Sequence, residues 1–219
     1  MAEIRKFISD ESSSTISKDW VFSIAPTIVA ANSSEPYKGM DQRQTSMQLR
    51  LMPYDKSGGG VRSKFNITWP QFDTLAKAVE LAQCGLLNEW DIAEACGDPF
   101  TRIFGEKDAQ GLCQARILTL KRQPVMRDGS KARLQWYIEI KNGRGVKVET
   151  QTGGAYMKPG SFVETSKCSA RLSDGQMKDH MFWGKFLMDI FNQAVKGGVL
   201  QGHTNLEAQK TAYKNGLKN

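Results

Sequence analysis

The first third of the chain contains three strand-like stretches: residues 20–30 are rich in β-branched and aromatic residues, and apolar and polar residues alternate along 43–52 and 61–69. Both patterns predict β-strands, which are half-buried where the alternation has a period of two. The spacing of the apolar residues then changes to three and four positions. This change predicts a helix that begins near Pro70, which suits a first helical turn, and ends near Gly85.

The second half of the chain repeats this order. Strands are predicted at residues 113–123, 132–141 and 161–172, and a long helix is predicted at 176–196. The cleanest alternation lies in 132–141, where Trp136 is in phase with the apolar neighbours and is predicted to be a core residue. Trp69 is predicted to be a core residue for the same reason.

Two local signals refine this second half. Asn142-Gly143 is the strongest hairpin signal in the chain and predicts a turn into a return strand. Asp174 is predicted to cap the long helix, and His180 within that helix is predicted to be a core histidine. A second apolar flank, which includes Phe182 and Phe186, predicts that the helix is buried on more than one side. Its main stripe is Met177, Met181, Gly184, Leu187, Met188, Phe191 and Val195.

Each half is therefore a run of antiparallel strands followed by a helix. The predicted fold class is α+β, with two tandem ββββα repeats in which a helix covers one sheet face and leaves the other available. The predicted organisation is a loose N-terminal arm (1–18), a single domain (19–196) made of two repeats (19–96 and 112–196), and a basic C-terminal tail (197–219). A short second helix is predicted at the end of the first repeat, at 88–96.

Composition narrows the functional classes. The 219 residues carry a net charge of +7 and a pI of about 9.2, which is compatible with a polyanionic partner. No apolar run approaches the ~18 residues of a membrane-spanning helix, so no membrane partner is expected. The four cysteines, Cys84, Cys96, Cys113 and Cys168, contain no C-x-x-C pair. We therefore expect reduced, mostly buried thiols, a cytoplasm-like compartment, and no metal or cofactor.

A family resemblance rests on the middle of the chain. Asp98-Pro99-Phe100 precedes a basic strand (116–121), and an Asp128-Gly129-Ser130 turn and a further strand follow. This order resembles the middle of Whirly proteins, and the tandem strand–helix units resemble the PUR-repeat and PC4-type relatives of that fold. The resemblance implies binding of single-stranded nucleic acid on the sheets, with little sequence preference, and assembly as a tetramer.

A protein surface that binds single-stranded nucleic acid needs cations along the path of the phosphates and flat rings that stack on the bases. The predicted outward strand positions and the neighbouring loops supply both kinds of side chain. We expect DNA rather than RNA as the partner. The candidate nucleic-acid-binding residues are Arg50, Tyr54, Arg62, Lys64, Lys121, Arg133, Tyr137, Lys141, Arg144, Lys147, Tyr156 and Lys158.

Two alternatives stay open. The same sheet could grip another protein, so that the chain is an interaction module such as a regulator or inhibitor. The spacing of Asp128 with Glu139 and Lys141 imitates a metal-dependent nuclease. If residues 131–141 form one continuous strand, however, the two carboxylates lie roughly 36 Å apart and cannot share an ion. The chain is therefore not expected to be an enzyme.

Overall fold

The computed structural model describes residues 13–17, 19–29, 44–53, 62–87, 92, 100–151 and 154–196. Tyr54, Cys96, the C-terminal tail (197–219) and almost all of the short helix predicted at 88–96 lie outside these residues. The described elements bear out the α+β class: antiparallel sheets alternate with two helices along the chain.

The first half forms one antiparallel sheet, here called sheet 1. Its strands are β1 (Ser13–Ile16), β2 (Trp20–Val29), β3 (Gln44–Pro53) and β4 (Ser63–Thr68), and their spatial order is the chain order. Strand β1 lies in the stretch predicted to be a loose arm, where it pairs with β2 along its whole length. The alternation in β3 and β4 places Leu49 and Phe65 in the core, as their period of two predicts.

The second half forms sheet 2, with spatial order β10-β7-β6-β5. Its strands are β5 (Thr101–Phe104), β6 (Cys113–Arg122), β7 (Trp136–Gly145) and β10 (Val163–Leu172). A separate two-stranded hairpin consists of β8 (Lys147–Glu149) and β9 (Ala155–Met157).

The predicted turn at Asn142-Gly143 is wrong. Both residues lie within β7, where they pair with Arg116 and Ala115 of β6. The glycine serves a close approach instead of a turn, because a Cβ atom at Gly143 would lie 2.6 Å from the Phe162 ring.

The two helices among the described elements are α1 (Trp69–Gln83) and α2 (Asp174–Lys196). Thr68 and Gln71 form a capping box at the start of α1. The start of α2 has the same arrangement, because Ser173 Oγ accepts from the Gln176 amide and Gln176 Oε1 accepts from the Ser173 amide. The prediction that Asp174 caps α2 is therefore wrong; Asp174 is the first helical residue and its carboxylate faces sheet 2.

Both sheets and both helices contribute to a single hydrophobic core. Trp136 is fully buried, as predicted, whereas Trp69 is only partly buried and stacks on Phe72 at 6.0 Å between ring centroids. His180 is a core histidine, as predicted: it is hydrogen-bonded to Thr15 Oγ1 at 2.8 Å. Burial lowers its pKa to about 4.

The outer flank of α2 differs from the prediction. Phe182 is 65% exposed, and Trp183 and Phe186 are about half exposed, so α2 is not buried on a second side along this flank. The three rings contact each other edge to face, with centroids 5.9 and 5.4 Å apart, beside a groove that separates α1 from α2. The groove keeps α1 from covering them.

The described cysteines are free thiols, with Cys113 and Cys168 buried, as predicted, and Cys84 exposed at the end of α1. Neither described helix combines the length and the apolar character that crossing a membrane requires.

Candidate nucleic-acid interface

Sheet 2 presents a cationic surface on the side opposite the core. Strands β6, β7 and β10 place three residues side by side in each row of this surface. We call it the outer face. Its rows are Lys121, Tyr137 and Arg171; Thr119, Glu139 and Ser169; and Ile117, Lys141 and Lys167. All nine residues except Glu139 are exposed or half-buried.

Positive charge exceeds negative charge on the outer face. Among the described residues, Lys121, Lys141, Lys167 and Arg171 contribute four cations, whereas the carboxylates are Glu139 and, at the margin, Glu164. The Lys141 ammonium lies 3.6 Å from each of these carboxylates, and Lys167 lies 4.0 Å from Glu164. These pairs are partly exposed, so an anionic ligand competes with them at small cost.

Tyr137 is the ring at the centre of the cationic rows. Its hydroxyl donates to Glu139 Oε2 at 2.6 Å, and the Arg171 guanidinium carbon lies 5.5 Å from the ring centroid. Burial, and then the hydrogen bond to Glu139, raise the pKa of Tyr137 above its ordinary value. The phenol is therefore neutral at physiological pH, and it adds no negative charge to the surface.

The β8–β9 hairpin extends the outer face at the end beyond Lys141. A Cβ at Gly145 would lie 2.6 Å from Met157 Sδ, which shows that β9 packs on the same side of β7 as Tyr137. The hairpin carries three predicted site residues: Lys147, Tyr156 and, directly after β9, Lys158. Tyr156 is 50% exposed and Lys158 is exposed, whereas Lys147 pairs with Glu149 at 3.4 Å.

Two predicted residues lie on the other sheet. Arg50 and Lys64 are Cα partners on the side of sheet 1 that faces away from the core. Arg50 Nε donates to Gln48 Oε1 at 2.6 Å, and Gln48 donates in turn to Asn66 at 2.9 Å, so the guanidinium belongs to a polar network across the strands. Lys64 is exposed.

Arg133 differs from its predicted position. It was expected to share a strand face with Tyr137 and Lys141, but β7 begins only at Trp136, so Arg133 lies in the preceding connection. Gln135 is turned into the structure there, where its side chain bonds the backbone carbonyl of Ala132 and the amide of Asp174. These bonds end the alternation that the sequence suggested. Arg133 nevertheless lines a shallow cavity together with Arg171.

Arg62 and Arg144 lie apart from the outer face, in a cleft on the inner side of sheet 2. Sequence reasoning missed three further cations: Lys167 and Arg171 on the outer face, and Arg116 in the cleft. The signal for the first two was present, because Lys167, Ser169 and Arg171 alternate with the buried residues Cys168, Ala170 and Leu172. Small residues at two of these buried positions made the pattern weak.

The positions of Asp128 and Glu139 do not match those of the paired carboxylates in a metal-dependent nuclease. Asp128 lies in a turn, where its carboxylate accepts from the Ser130 amide at 3.0 Å and the Ser130 hydroxyl at 2.6 Å. Glu139 lies on the outer face under Tyr137. Among the described residues, no three His, Cys, Asp or Glu side chains are grouped closely enough to hold a metal ion.

No protein-family model matches the chain, and no curated protein matches it. The comparison of structures finds WHY3 from Arabidopsis thaliana, at 11% identity and a TM-score of 0.42, over 86% of this chain and 96% of that one. It also finds the plant transcriptional regulator PBF-2, at 10% identity and a TM-score of 0.42, over 90% of this chain and 92% of that one. A third structure, WHY1 from Arabidopsis thaliana, matches at 10% identity and a TM-score of 0.40, over 81% of this chain and 87% of that one. These Whirly structures are similar to this chain over most of its length but share few residues with it.

Proposed function

We propose that this protein binds single-stranded nucleic acid, DNA in the first instance, through the outer face of sheet 2 and the adjoining hairpin. The observation that carries the proposal is the set of four cations around Tyr137 on a face that neither described helix covers. Cations neutralise the phosphates, and this neutralisation supplies most of the affinity for a strand of any sequence.

A single strand suits this surface better than a duplex does. Its described part is a broad sheet with a short two-stranded hairpin at one end, and no described helix protrudes from it to enter a duplex groove. Tyr137 and Tyr156 offer rings on which unpaired bases stack, and each stacked base contributes roughly 1–3 kcal/mol with little dependence on sequence. Bases inside a duplex present no free ring face. We therefore expect low sequence specificity and no enzymatic activity.

The salt dependence of binding tests this proposal. Each cation that neutralises a phosphate of a single strand contributes about −0.7 to the slope of log K against log [salt], so four cations give a slope of about −2.8. Fluorescence anisotropy with a labelled single-stranded DNA 20-mer, across a range of salt concentrations, measures the slope. Parallel titrations with RNA and with duplex DNA rank the three partners.

A double variant assigns the slope to the outer face. Lys121→Gln with Arg171→Gln removes two cations and is expected to reduce the magnitude of the slope by about 1.4. The matched control, Lys77→Gln with Lys178→Gln, removes the same charge from exposed positions on the two helices. If both double variants change the slope equally, net charge rather than the outer face controls binding, and the proposal fails.

The exposed rings of α2 favour a second candidate, a protein-interaction role. Phe182, Trp183 and Phe186 form an apolar surface on the helix layer, away from the sheet that the sequence suggested as the protein-binding surface. We propose that copies of this chain meet there to form the homo-oligomer. The mass from sedimentation equilibrium is expected to be a multiple of 24.4 kDa. Trp183→Ser should lower it; an unchanged mass would place the interface elsewhere.

The proposed location is a reducing compartment that contains nucleic acid, such as the cytoplasm. Its support is that the three described cysteines are free thiols, one of them exposed.

A further inference from the structure

A second group of arginines lies in a cleft on the inner side of sheet 2, where the start of β4 meets β6 and β7. Arg116 is on β6, Arg144 is on β7, and Arg62 directly precedes β4. Asn142 and Ser166 supply polar groups between them, and the cleft has a volume of about 420 Å³. Sites for small ligands commonly have volumes of about 300–1,000 Å³.

Arg116 is the most unusual member of this group. It is half-buried, its guanidinium carbon lies 4.8 Å above the Phe104 ring, and its guanidinium forms no hydrogen bond or ion pair with any described residue. Burial lowers its pKa, but an arginine stays charged at any physiological pH. A partly desolvated cation without an acceptor is costly, and a bound anion would remove that cost.

The charges define which anion fits. Among the described residues, none that lines the cleft is acidic, and the nearest carboxylate is that of Asp108, which pairs with Arg144 at 2.9 Å. Three guanidinium groups and one carboxylate leave a charge of +2. Guanidinium groups match the oxygens of phosphate in a bidentate manner.

We propose that this cleft binds a phosphate monoester dianion, carried by a nucleoside monophosphate or by the 5′ end of a nucleic-acid strand. A dianion balances the +2 charge, whereas the phosphodiester of a strand interior carries a single charge. Asn142 is held in place for this role, because its amide donates to Ser63 Oγ at 2.8 Å and to Ser166 Oγ at 3.2 Å. The cleft therefore combines free charge with fixed walls.

The cleft is independent of the outer face. Residues alternate between the two sides of a strand, so Arg116 and Arg144 lie on the side opposite Lys121 and Tyr137. The inference thus does not require that the outer face binds a strand, and the two can be tested separately.

Calorimetric titration of the full chain with dAMP, deoxyadenosine and inorganic phosphate tests the proposal. We expect dAMP to bind and deoxyadenosine not to bind. Arg116→Gln should weaken dAMP by about tenfold or more, the loss that corresponds to one charge-assisted hydrogen bond. Lys77→Gln removes a charge elsewhere and should leave dAMP binding unchanged. Phe104→Leu keeps every charge but removes the ring beneath Arg116, and should weaken dAMP less than Arg116→Gln does.

Oligonucleotides then distinguish the sources of the phosphate. If a strand end is the ligand, a 5′-phosphorylated 20-mer binds more tightly than its 5′-hydroxyl counterpart, and Arg116→Gln removes the difference. If a free nucleotide is the ligand, dAMP binds and the two 20-mers are equal. If dAMP binds no better than deoxyadenosine, or if Arg116→Gln and Lys77→Gln have equal effects, the proposal is overturned. Binding of dAMP without binding of any 20-mer would uphold this inference and refute the proposed function.

Discussion

The Asp174 carboxylate joins the helix layer to sheet 2, and its removal is the sharpest test of how the fold is held together. Arg122 of β6 donates to both carboxylate oxygens, at 3.0 and 2.8 Å, and the indole of Trp136 donates to one of them at 2.7 Å. The backbone of Asp174 is also fixed, by Gln83 at the end of α1 and by Gln135 before β7. One residue thus connects both helices with two strands.

We expect Asp174→Ala to lower the free energy of unfolding by about 3 kcal/mol. A hydrogen bond to a charged group is worth roughly 1.5–3 kcal/mol, and breaking a buried ion pair costs roughly 3–5 kcal/mol. The Arg122 side chain is 15% exposed and that of Asp174 is 34% exposed, so solvent reduces the cost below the buried limit. Asp174→Asn keeps an acceptor for Trp136, and about half of the loss is expected.

Urea unfolding at neutral pH measures this loss, and Asp73→Ala is the matched control. The Asp73 side chain is equally exposed, at 32%, but its partners are the flexible lysines Lys77 and Lys185, so about 1 kcal/mol or less is expected. A loss below 1 kcal/mol for Asp174→Ala, or an equal loss in both variants, would refute the reasoning. The hydrogen bonds from Arg122 and then from Trp136 lower the pKa of Asp174. Its contribution is therefore present above about pH 4 and is lost as the pH falls further.

Three other expectations follow from single sites. The pKa of His180 is about 4 in the folded chain against 6.5 in the unfolded chain. The free energy of unfolding should therefore fall by about 3 kcal/mol as the pH drops from 6.5 to 4. Urea titrations at each pH measure this loss, and His180→Gln should remove it. Gly143→Ala should cost about 1–3 kcal/mol because the new methyl group meets the Val163 backbone carbonyl and the Phe162 ring. Gly175→Ala, with no close neighbour in the first turn of α2, should be neutral or stabilising by up to about 1 kcal/mol, and equal thermal shifts would contradict this. Glu139→Gln removes a negative charge from the outer face and should tighten single-strand binding by roughly twofold to fivefold. In a nuclease the same substitution would abolish activity. Weaker binding of the variant would count against the outer face as the binding site.

The fold could be predicted where packing follows directly from periodicity. Alternation located β3 and β4 to within a few residues, because one face of each strand is buried in the core. The strands predicted at 113–123 and 161–172 also lie within a few residues of β6 and β10. Periodicity failed where a local signal competed with tertiary contacts. Asn142-Gly143 has the composition of a turn, but the glycine is needed where Phe162 crosses the strand.

The same limit explains the outer flank of α2. Phe182 and Phe186 are as apolar as the residues of the main stripe, so the sequence alone makes both flanks equally suited to burial. The positions of α1 and of sheet 1 decide which flank is covered. Helix α1 contacts α2 where Phe72 packs against Gly184, and β1 and β2 contact it at His180. A helix pattern reports the composition of a flank but not the presence of a neighbour.

The candidate site was predictable within one strand but not between strands. Tyr137 and Lys141 share a face of β7 because they are four residues apart, and Lys121 joins them through strand pairing. Their grouping with Arg171 depends on the pairing of β7 with β10, which no local pattern reveals. Arg62 is brought near Arg144 by the meeting of two sheets, and their separation in sequence gives no sign of it.

The length of β7 explains why the cleft exists. Its inner positions are Trp136, Ile138 and Ile140, which the core buries, and then Asn142 and Arg144. Ten residues of strand span about 34 Å, whereas each helix, with its side chains, covers a width of about 10–12 Å. Asp174 anchors α2 beside Trp136 at one end of the sheet, whereas β4 of sheet 1 packs against β6 and β7 at the other end, where Asn142 donates to Ser63. The inner positions of β7 at that end are the polar residues Asn142 and Arg144, and neither Arg116 nor Arg144 belongs to the hydrophobic core. Substitutions at Arg116 and Arg144 therefore leave the core intact, and a change in phosphate binding by these variants reports the chemistry of the cleft rather than a loss of folding.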